Sequence, residues 1–172
     1  MKYSDIYRLY STSQPKDAIH QALREVPVDD SDEQYEDRSP LHLACQYGDA
    51  EGVKILLERD AEPNTKDANG STPIHILGRT SADRADEDKL KEIAVMLMEH
   101  GANIPRSAKN TTALIECVRN RHFKMAEAII NSGARVNSTD LNGENVLFGL
   151  CAASGDIKRD IQFAKKELDE SV

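Results

Sequence analysis

The sequence predicts an all-α solenoid of about five stacked helix pairs, and three observations support this fold class. Similar segments recur along the chain: residues 37–45 resemble residues 70–78, and Pro40 and Pro73 lie 33 positions apart. Apolar residues within the segments recur at the spacing of an amphipathic helix. Asn, Asp and Gly residues typical of turns separate the segments. Such a period indicates a repeat protein, whose helix pairs must stack because each is too small to bury its own apolar side.

The first unit, residues 1–35, is predicted to be a diverged N-terminal cap. Two helical patterns, at 4–10 and 15–24, precede the segment 26–30, which resembles the exit from a repeat. Pro15 is typical of a helix start, because its fixed φ suits the first turn. We therefore expect one helix pair here.

The second unit, residues 36–66, is the most regular. Ser39 occupies an N-cap position and Pro40 the first helical turn, where the missing N–H of proline costs little. Apolar residues at helical spacing then predict two short helices. Asp60 follows the second helix at a position where a left-handed residue is favoured, at some conformational cost because it is not glycine.

The third unit, residues 67–105, is longer than the others. Its Pro73 and Gly101 are 28 positions apart, against 20 in the second unit, so eight additional residues lie between its two helices. We expect this insertion, at 80–88, to lengthen the second helix at its start, with Ser81 as N-cap, or to form a charged loop. Four acidic residues would lie near the helix start and favour its dipole: Asp83, Asp86, Glu87 and Asp88.

The last two units, residues 106–138 and 139–172, match the pattern less well. Thr112 begins the first helix of the fourth unit, and Gly133 follows its second helix. The fifth unit has one apolar stripe on a charged helix, as expected of a C-terminal cap with a single neighbour. Tight hairpin turns are predicted between units, at 67–70, 107–110 and 140–143. Together the five units form one domain over residues 1–172.

The repeated motif resembles a known family. Residues 39–44 read S-P-L-H-L-A and residues 56–64 read L-L-E-R-D-A-E-P-N, which is similar to the ankyrin repeat with its T-P-L-H-x-A and later L-L-x-x-G-A-x-x-N. The resemblance implies an ankyrin-repeat solenoid in which the motif histidine ties the hairpin turn to the helix by hydrogen bonds. It also implies that the chain binds a protein through hairpin tips and the concave face of the first helices.

Composition disfavours several other functions. With no Trp and 5% aromatic residues, the chain is poorly suited to stack sugars or bases, and a net charge of -8 disfavours a nucleic-acid groove. No segment resembles a signal peptide or a membrane span, and three cysteines without a close pair favour a reducing compartment. We expect a cytoplasmic, acidic monomer that binds neither nucleic acid nor a membrane and needs no metal or cofactor.

Catalysis is an alternative because His42, His75 and Cys45 belong to the repeated motif. The two histidines are equivalent residues of successive repeats, so stacking places them about 10 Å apart, too far to share a metal ion whose ligands lie about 2 Å away. Cys45, Cys117 and Cys151 replace small residues of first helices, which favours a packing role. No nucleophile elbow, phosphate-binding loop or zinc-protease motif occurs. We therefore expect no enzymatic activity.

The predicted partner surface follows from the ankyrin resemblance and has two parts. The hairpin tips contribute Asp67, Asn69, Ser71, Lys109, Thr111, Asp140, Asn142 and Glu144. The exposed ends of the first helices contribute Gln46, Tyr47, Arg79, Thr80, Arg119 and Asn120. Tyrosine and arginine are enriched in interfaces, although Asn and Asp also occur in turns for backbone reasons. Arg119, Arg121 and His122 form a local basic cluster that suits a carboxylate or a solvated surface.

The sequence alone leaves several alternatives open. The insertion at 80–88 either takes part in binding or is a tolerated loop, since loop length costs little free energy. The scaffold acts alone as an adaptor or inhibitor, or it is the regulatory domain of a larger enzyme. A bacterial immunity or effector protein is the other alternative, in which the acidity of the chain would match a basic partner.

Overall fold

The computed structural model describes residues 1–81, 83–103, 112–135, 139, 143 and 145–146, and in these residues every regular element is helical. The elements are α1 Tyr3–Ser11, α2 Lys16–Glu25, a short 3₁₀ helix Glu33–Tyr35, α3 Pro40–Gln46, α4 Ala50–Leu57, α5 Pro73–Gly78, α6 Glu87–Glu99, α7 Ala113–Arg119 and α8 Phe123–Asn131. The predicted all-α fold is confirmed.

The helices stack in two layers. First helices contact first helices, in the order α1, α3, α5 and α7, and second helices contact one another in the order α2, α4, α6 and α8. The two helices of each pair also pack together. Each pair thereby buries its apolar side against its neighbours, and one continuous core runs through the stack.

The first helices begin where the sequence predicts. α3 begins at Pro40, and the backbone N–H and hydroxyl of Ser39 lie 3.1 and 2.9 Å from Nδ1 of His42. Thr72 and His75 repeat this arrangement at the start of α5. The cap satisfies N–H groups that a helix start otherwise leaves without partners. This explains why such short helices begin reliably at these positions.

The second helices α4, α6 and α8 are followed by left-handed residues, also as predicted. Asp60, Gly101 and Gly133 have φ of 62°, 88° and 93°, which strains only the aspartate because it carries a Cβ. Further on, Asn64 joins consecutive units, since its Nδ2 donates to the Gly101 carbonyl at 2.9 Å and its Oδ1 accepts from the Asn103 N–H at 2.7 Å.

The first unit contains the two predicted helices, α1 and α2. Ile6 and Leu23 are fully buried in the common core. The guanidinium of Arg59, which follows α4, donates to the carbonyl groups of Leu23 and Val26 at the end of α2. That contact satisfies carbonyl groups left free by a helix end, and it attaches the first unit to the second.

The insertion both lengthens a helix and forms a loop. α6 has 13 residues, against 8 in α4 and 9 in α8, and its additional residues lie at its start. The remainder forms a segment that we call the linker, residues 79–81 and 83–86, in place of the short turns 47–49 and 120–122. The two alternatives expected for this insertion therefore occur together.

The predicted N-cap at Ser81 is wrong. α6 begins at Glu87, and the Asp86 side chain caps it by accepting from the Lys89 N–H at 2.9 Å. The physical reason is tertiary, because Thr80 and Ala85 are buried against the second unit. Their burial holds Ser81, Asp83 and Arg84 outside the helix.

The hairpin predicted at 67–70 is present. The Gly70 N–H donates to the Asp67 carbonyl at 2.8 Å, and Gly70 has φ of 67°, which glycine adopts without strain. The hairpins predicted at 107–110 and 140–143, apart from Gly143, and the C-terminal helix lie outside the described residues.

Candidate functional site

Three side chains occupy equivalent positions along the stack. Gln46 ends α3, Arg79 follows α5 and Arg119 ends α7, and all three are half-buried. Arg79 bridges to the next unit, where its Nη2 donates to Oε1 of Glu116 at 3.0 Å, and its Nη1 donates to the hydroxyl of Ser71 at 3.2 Å. We call Gln46, Arg79 and Arg119 the first-helix row. The structure thus places these predicted residues at equivalent positions of three neighbouring first helices.

Tyr47, another predicted contact residue, packs within the chain. Its ring stacks on that of Tyr10 with centroids 4.8 Å apart, and the Arg84 guanidinium lies 4.5 Å from the Tyr47 centroid. Arg84 also donates to the Gln46 carbonyl at 3.1 Å. A cation over an aromatic ring is attractive, so these contacts hold the linker on the second unit. Tyr47 stays partly accessible beside them.

A buried polar cluster lies next to Tyr47. The Asp49 carboxylate accepts from the Tyr10 hydroxyl at 2.8 Å and lies 3.0 Å from Nε2 of His20, and Asp49 is only 4% exposed. Burial and the neighbouring Asp49 carboxylate raise the pKa of Tyr10 well above its usual value. These groups satisfy one another's hydrogen bonds and attach α1 and α2 to the turn 47–49. The sequence interpretation did not include this cluster, and no motif indicates it.

Thr80 and Asn120, both predicted contact residues, make equivalent hydrogen bonds between units. The Thr80 hydroxyl donates to the Cys45 carbonyl at 3.0 Å, and the Asn120 amide donates to the Gly78 carbonyl at 3.1 Å. Thr80 is 3% exposed, whereas Asn120 is exposed. Thr80 therefore positions its neighbours, and Asn120 keeps a surface that a partner can touch.

The hairpin residues also divide into buried and accessible ones. Oδ1 of Asp67 accepts from the N–H groups of Asn69 and Ser71 at 2.9 and 2.8 Å, and the Ser71 carbonyl accepts from Nε2 of His42 at 3.0 Å. Asp67 and Ser71 are buried and shape the turn, while Asn69 is half-buried at its tip. The remaining predicted tip residues lie outside the described residues: Lys109, Thr111, Asp140, Asn142 and Glu144.

Two arginines beside the first-helix row were missing from the sequence prediction. Nη1 of Arg38 donates to Oε1 of Gln46 at 2.9 Å, and Arg84 reaches the same residue from the linker. Arg38 is equivalent to Ser71, two residues before the helix proline, so aligning the repeats is a signal that could have found it. Arg84 belongs to the insertion and has no equivalent in another unit.

The motif histidines and the described cysteines are buried. Burial lowers the pKa of His42 to about 4, so its neutral ring bridges Ser39 and Ser71. Burial raises the pKa of the Cys45 and Cys117 thiols, which keeps them protonated and unreactive. Within the part of the chain that the structure describes, no group of His, Cys, Asp and Glu is arranged to hold a metal ion.

The basic cluster predicted at Arg119, Arg121 and His122 is wrong in one member. His122 is 4% exposed, and its Nε2 donates to the Thr80 carbonyl at 2.7 Å. Burial lowers its pKa, so it is uncharged at neutral pH. His122 therefore connects the linker to the fourth unit and does not add charge to the surface.

Comparison with known proteins agrees with this geometry. A family profile of ankyrin repeats in many copies matches residues 22–77, and an ankyrin-repeat profile matches residues 109–141. Together the two matches cover more than half of the chain. This chain belongs to the ankyrin-repeat family. Ankyrin repeats generally mediate protein–protein interaction and are typically non-catalytic modules.

Similar relatives carry the repeat in much longer proteins. The chain is 39% identical over 62 residues to the transient receptor potential cation channel subfamily A member 1 homolog of Caenorhabditis elegans, covering 36% of this chain and 5% of that protein. It is 33% identical over 114 residues to neurogenic locus notch homolog protein 1 of Homo sapiens, covering 66% and 4%. It is 29% identical over 124 residues to ankyrin repeat protein nuc-2 of Neurospora crassa, covering 71% and 10%. The chain thus spans a tenth or less of these relatives. Among its described residues, no helix has the length and apolarity needed to cross a membrane.

Proposed function

We propose that this ankyrin-repeat chain is a non-catalytic scaffold that binds a partner protein through its hairpin tips and the concave face of its first helices. The observation that carries the proposal is the first-helix row, Gln46, Arg79 and Arg119, in which half-buried polar side chains repeat on neighbouring helices. Hydrogen bonds already order Gln46 and Arg79. Ordered side chains lose less conformational entropy on binding, which suits an interaction surface.

The proposed contact set follows from burial. Accessible members are the first-helix row together with Tyr47, Asn69 and Asn120. Buried Asp67, Ser71 and Thr80 support them from beneath. The tip residues Lys109, Thr111, Asp140, Asn142 and Glu144 stay in the proposal on the strength of the family resemblance.

A cytoplasmic monomer without a cofactor completes the proposal. The support for the cytoplasmic location is that Cys45 and Cys117 are buried free thiols, which are typical of a reducing compartment. Burial also makes both thiols poor nucleophiles, in keeping with a binding role.

Affinity purification followed by mass spectrometry tests the binding surface. The first-helix variant would combine Arg79→Ala with Arg119→Ala, and a matched control would combine Lys54→Ala with Lys91→Ala, two exposed cations on second helices. Each variant removes two positive charges, so net charge is controlled. We expect the control to retain the partner of the wild-type chain and the first-helix variant to lose at least tenfold in its recovery. Equal recovery by both variants would overturn the proposed surface.

A further inference from the structure

A pocket of about 260 Å³ opens between α3 and α5 on the first-helix side, and the linker forms one of its walls. Arg38, Arg79 and Arg84 converge on it from three different segments, and none of the described residues that line it is acidic. We call this feature the arginine pocket. A lining with three cations is unexpected in a chain whose net charge is -8.

Two of the three arginines are neutralised from outside the pocket. Arg38 pairs with Glu36, and its Nε lies 3.6 Å from the buried Asp67 carboxylate. Arg79 pairs with Glu116 of the next unit at 3.0 Å. These contacts fix the direction of both guanidinium groups. Because of these acidic partners, Arg38 and Arg79 add little net positive charge to the pocket.

Arg84 differs from them because its partners among the described residues are uncharged. It donates one hydrogen bond to the Gln46 carbonyl and lies over the Tyr47 ring. A guanidinium carries five N–H donors in a planar fork, so Arg84 can still donate to a carboxylate. It is exposed at the mouth of the pocket, where an incoming group can reach it.

The acidic residues of the insertion do not line this pocket. Asp86 caps α6 through the Lys89 N–H. Asp88 accepts from the Lys124 ammonium at 2.7 Å, and Glu87 accepts from the Lys124 N–H at 3.2 Å. The insertion thus directs these carboxylates toward its own helix and the fourth unit, and its arginine toward the pocket.

We propose that the arginine pocket binds the carboxylate side chain of an acidic residue in a partner protein, and that Arg84 selects this residue by its charge. This inference rests on the proposed function, because the partner segment would lie along the first-helix row. The pocket is smaller than a typical site for a compact ligand, so it suits a single side chain. The net negative charge of the whole chain repels strongly acidic partners, so one acidic residue fits better than an acidic run.

The charge balance favours a carboxylate over a phosphate. Glu36, Asp67 and Glu116 already lie around Arg38 and Arg79, and Arg84 adds one cation without an acidic partner among the described residues. A carboxylate carries one negative charge, whereas a phosphorylated side chain carries close to two at neutral pH. The second charge would be repelled by the carboxylates in place.

Panning a displayed library of random short peptides on the intact chain tests this inference. We expect the selected peptides to share an aspartate or glutamate at one position. For the tightest peptide, Arg84→Gln in the chain should raise Kd about tenfold, and so should replacing the peptide's acid by its amide. Both changes together should raise Kd no further than either alone, because each removes the same contact. Lys54→Gln, which removes an exposed cation of α4, should change Kd less than about twofold.

Several outcomes would overturn the inference. The first is a library that yields no binder, and the second is a set of binders that share no acidic position. The third is a shared acid whose replacement raises Kd by the same factor in the wild-type chain and in Arg84→Gln. A phosphoserine peptide that binds more than about tenfold tighter than the acidic one would assign the pocket to phosphate instead. The affinity purification proposed above then decides the proposed function separately. If the combined Arg79→Ala and Arg119→Ala variant loses the partner while the control retains it, the proposed function survives; if both variants recover the partner equally, both proposals fail. Thermal unfolding of Arg84→Gln, an exposed residue, serves as the folding control.

Discussion

The two edges of the helix stack are held together by different kinds of contact. At the hairpin edge, where units are joined by their turns, the same bonds recur: His42 and His75 cap their own helices, and His42 also binds the Ser71 carbonyl. At the helix-turn edge, where the two helices of a unit are joined, the hydrogen bonds of Thr80 and Asn120 recur, but other contacts differ from one junction to the next. Asp49 binds Tyr10 there, while the linker packs on the turn before it. The repeated signature therefore specifies the hairpin edge, whereas unrepeated residues determine much of the helix-turn edge.

The helix-turn edge is itself uneven. The short turns contain Gly48 and Arg121 at equivalent positions, with φ of 60° and 65°. In the third unit the linker replaces this turn, and its Ala85 packs directly over Gly48, where a Cβ would lie 2.3 Å from the Ala85 Cβ. The linker therefore packs against the short turn of the second unit. Substitutions in this contact and in the histidine contacts of the hairpin edge can compare how much each edge contributes to stability.

The largest expected effect concerns the hairpin edge. His42→Ala removes a fully buried ring together with its bonds to Ser39 and Ser71. We expect the free energy of unfolding to fall by about 4 kcal/mol, because a cavity and unpaired buried polar groups are left behind. Urea unfolding measures the loss. His100→Ala, at an exposed histidine after α6, should change stability by less than about 1 kcal/mol, and an equal loss in the two variants would refute the explanation.

The next effect concerns the helix-turn edge. Gly48→Ala introduces a side chain in a left-handed conformation and against Ala85, so we expect a loss of about 3 kcal/mol. Adding Ala85→Gly should recover the part due to the clash and leave about 1 kcal/mol of backbone strain. Arg121→Ala, in the equivalent short turn, should cost less than about 1 kcal/mol, because the left-handed position is already occupied by a residue with a Cβ. Urea unfolding of the three variants and the wild-type chain gives the comparison, and no recovery in the double variant would contradict packing of the linker on Gly48.

A smaller effect is expected from pH, again at the hairpin edge. The pKa of His42 is lowered to about 4, below the value of about 6.5 expected in the unfolded chain. Protons therefore bind the unfolded state more readily, and stability present at neutral pH is lost as the pH falls from about 6.5 toward 4. We expect His42 to account for about 2 kcal/mol of lost stability between pH 7 and about pH 5.

Unfolding curves of the wild-type chain and of His42→Ala across this pH range check the prediction. Their difference isolates His42, since the buried His122, whose pKa is also lowered, contributes to both. The stability gap between the two proteins should narrow as the pH falls. A gap that stays constant would show that His42 does not titrate differently in the two states.

The smallest expected effect concerns a hydrogen bond of the linker. Thr80→Val keeps the shape of the side chain and removes its hydrogen bond to the Cys45 carbonyl, so we expect a loss of about 1 kcal/mol. Asn120→Ala removes the equivalent bond at an exposed residue and should cost about half as much. Thermal unfolding compares the two, and an unchanged melting temperature in Thr80→Val would contradict its positioning role.

Much of the fold could be predicted from the sequence because its signals are local. Ser39 and Thr72 before proline indicate helix starts, and Gly101 and Gly133 indicate left-handed ends. The candidate site was predicted less well. Thr80 was expected on the surface, yet it is buried, and Arg84 was not expected to take part in the site.

By itself, the sequence determined the helix pairs of the described residues, most of their starts and ends, the 33-residue spacing of the two best motifs and the family. Each of these follows from the backbone conformations that a few adjacent residues prefer, and the recurrence of the same pattern along the chain supports the assignment. Only the tertiary structure decided that the linker packs on Gly48 and Tyr47, that its helix begins after Asp86, and that Arg84 faces a pocket with two other arginines. Each of those features depends on contacts between residues far apart in the chain, and these contacts do not repeat from unit to unit. No local pattern encodes such a contact, because its free energy depends on which surfaces the stacked helices bring together.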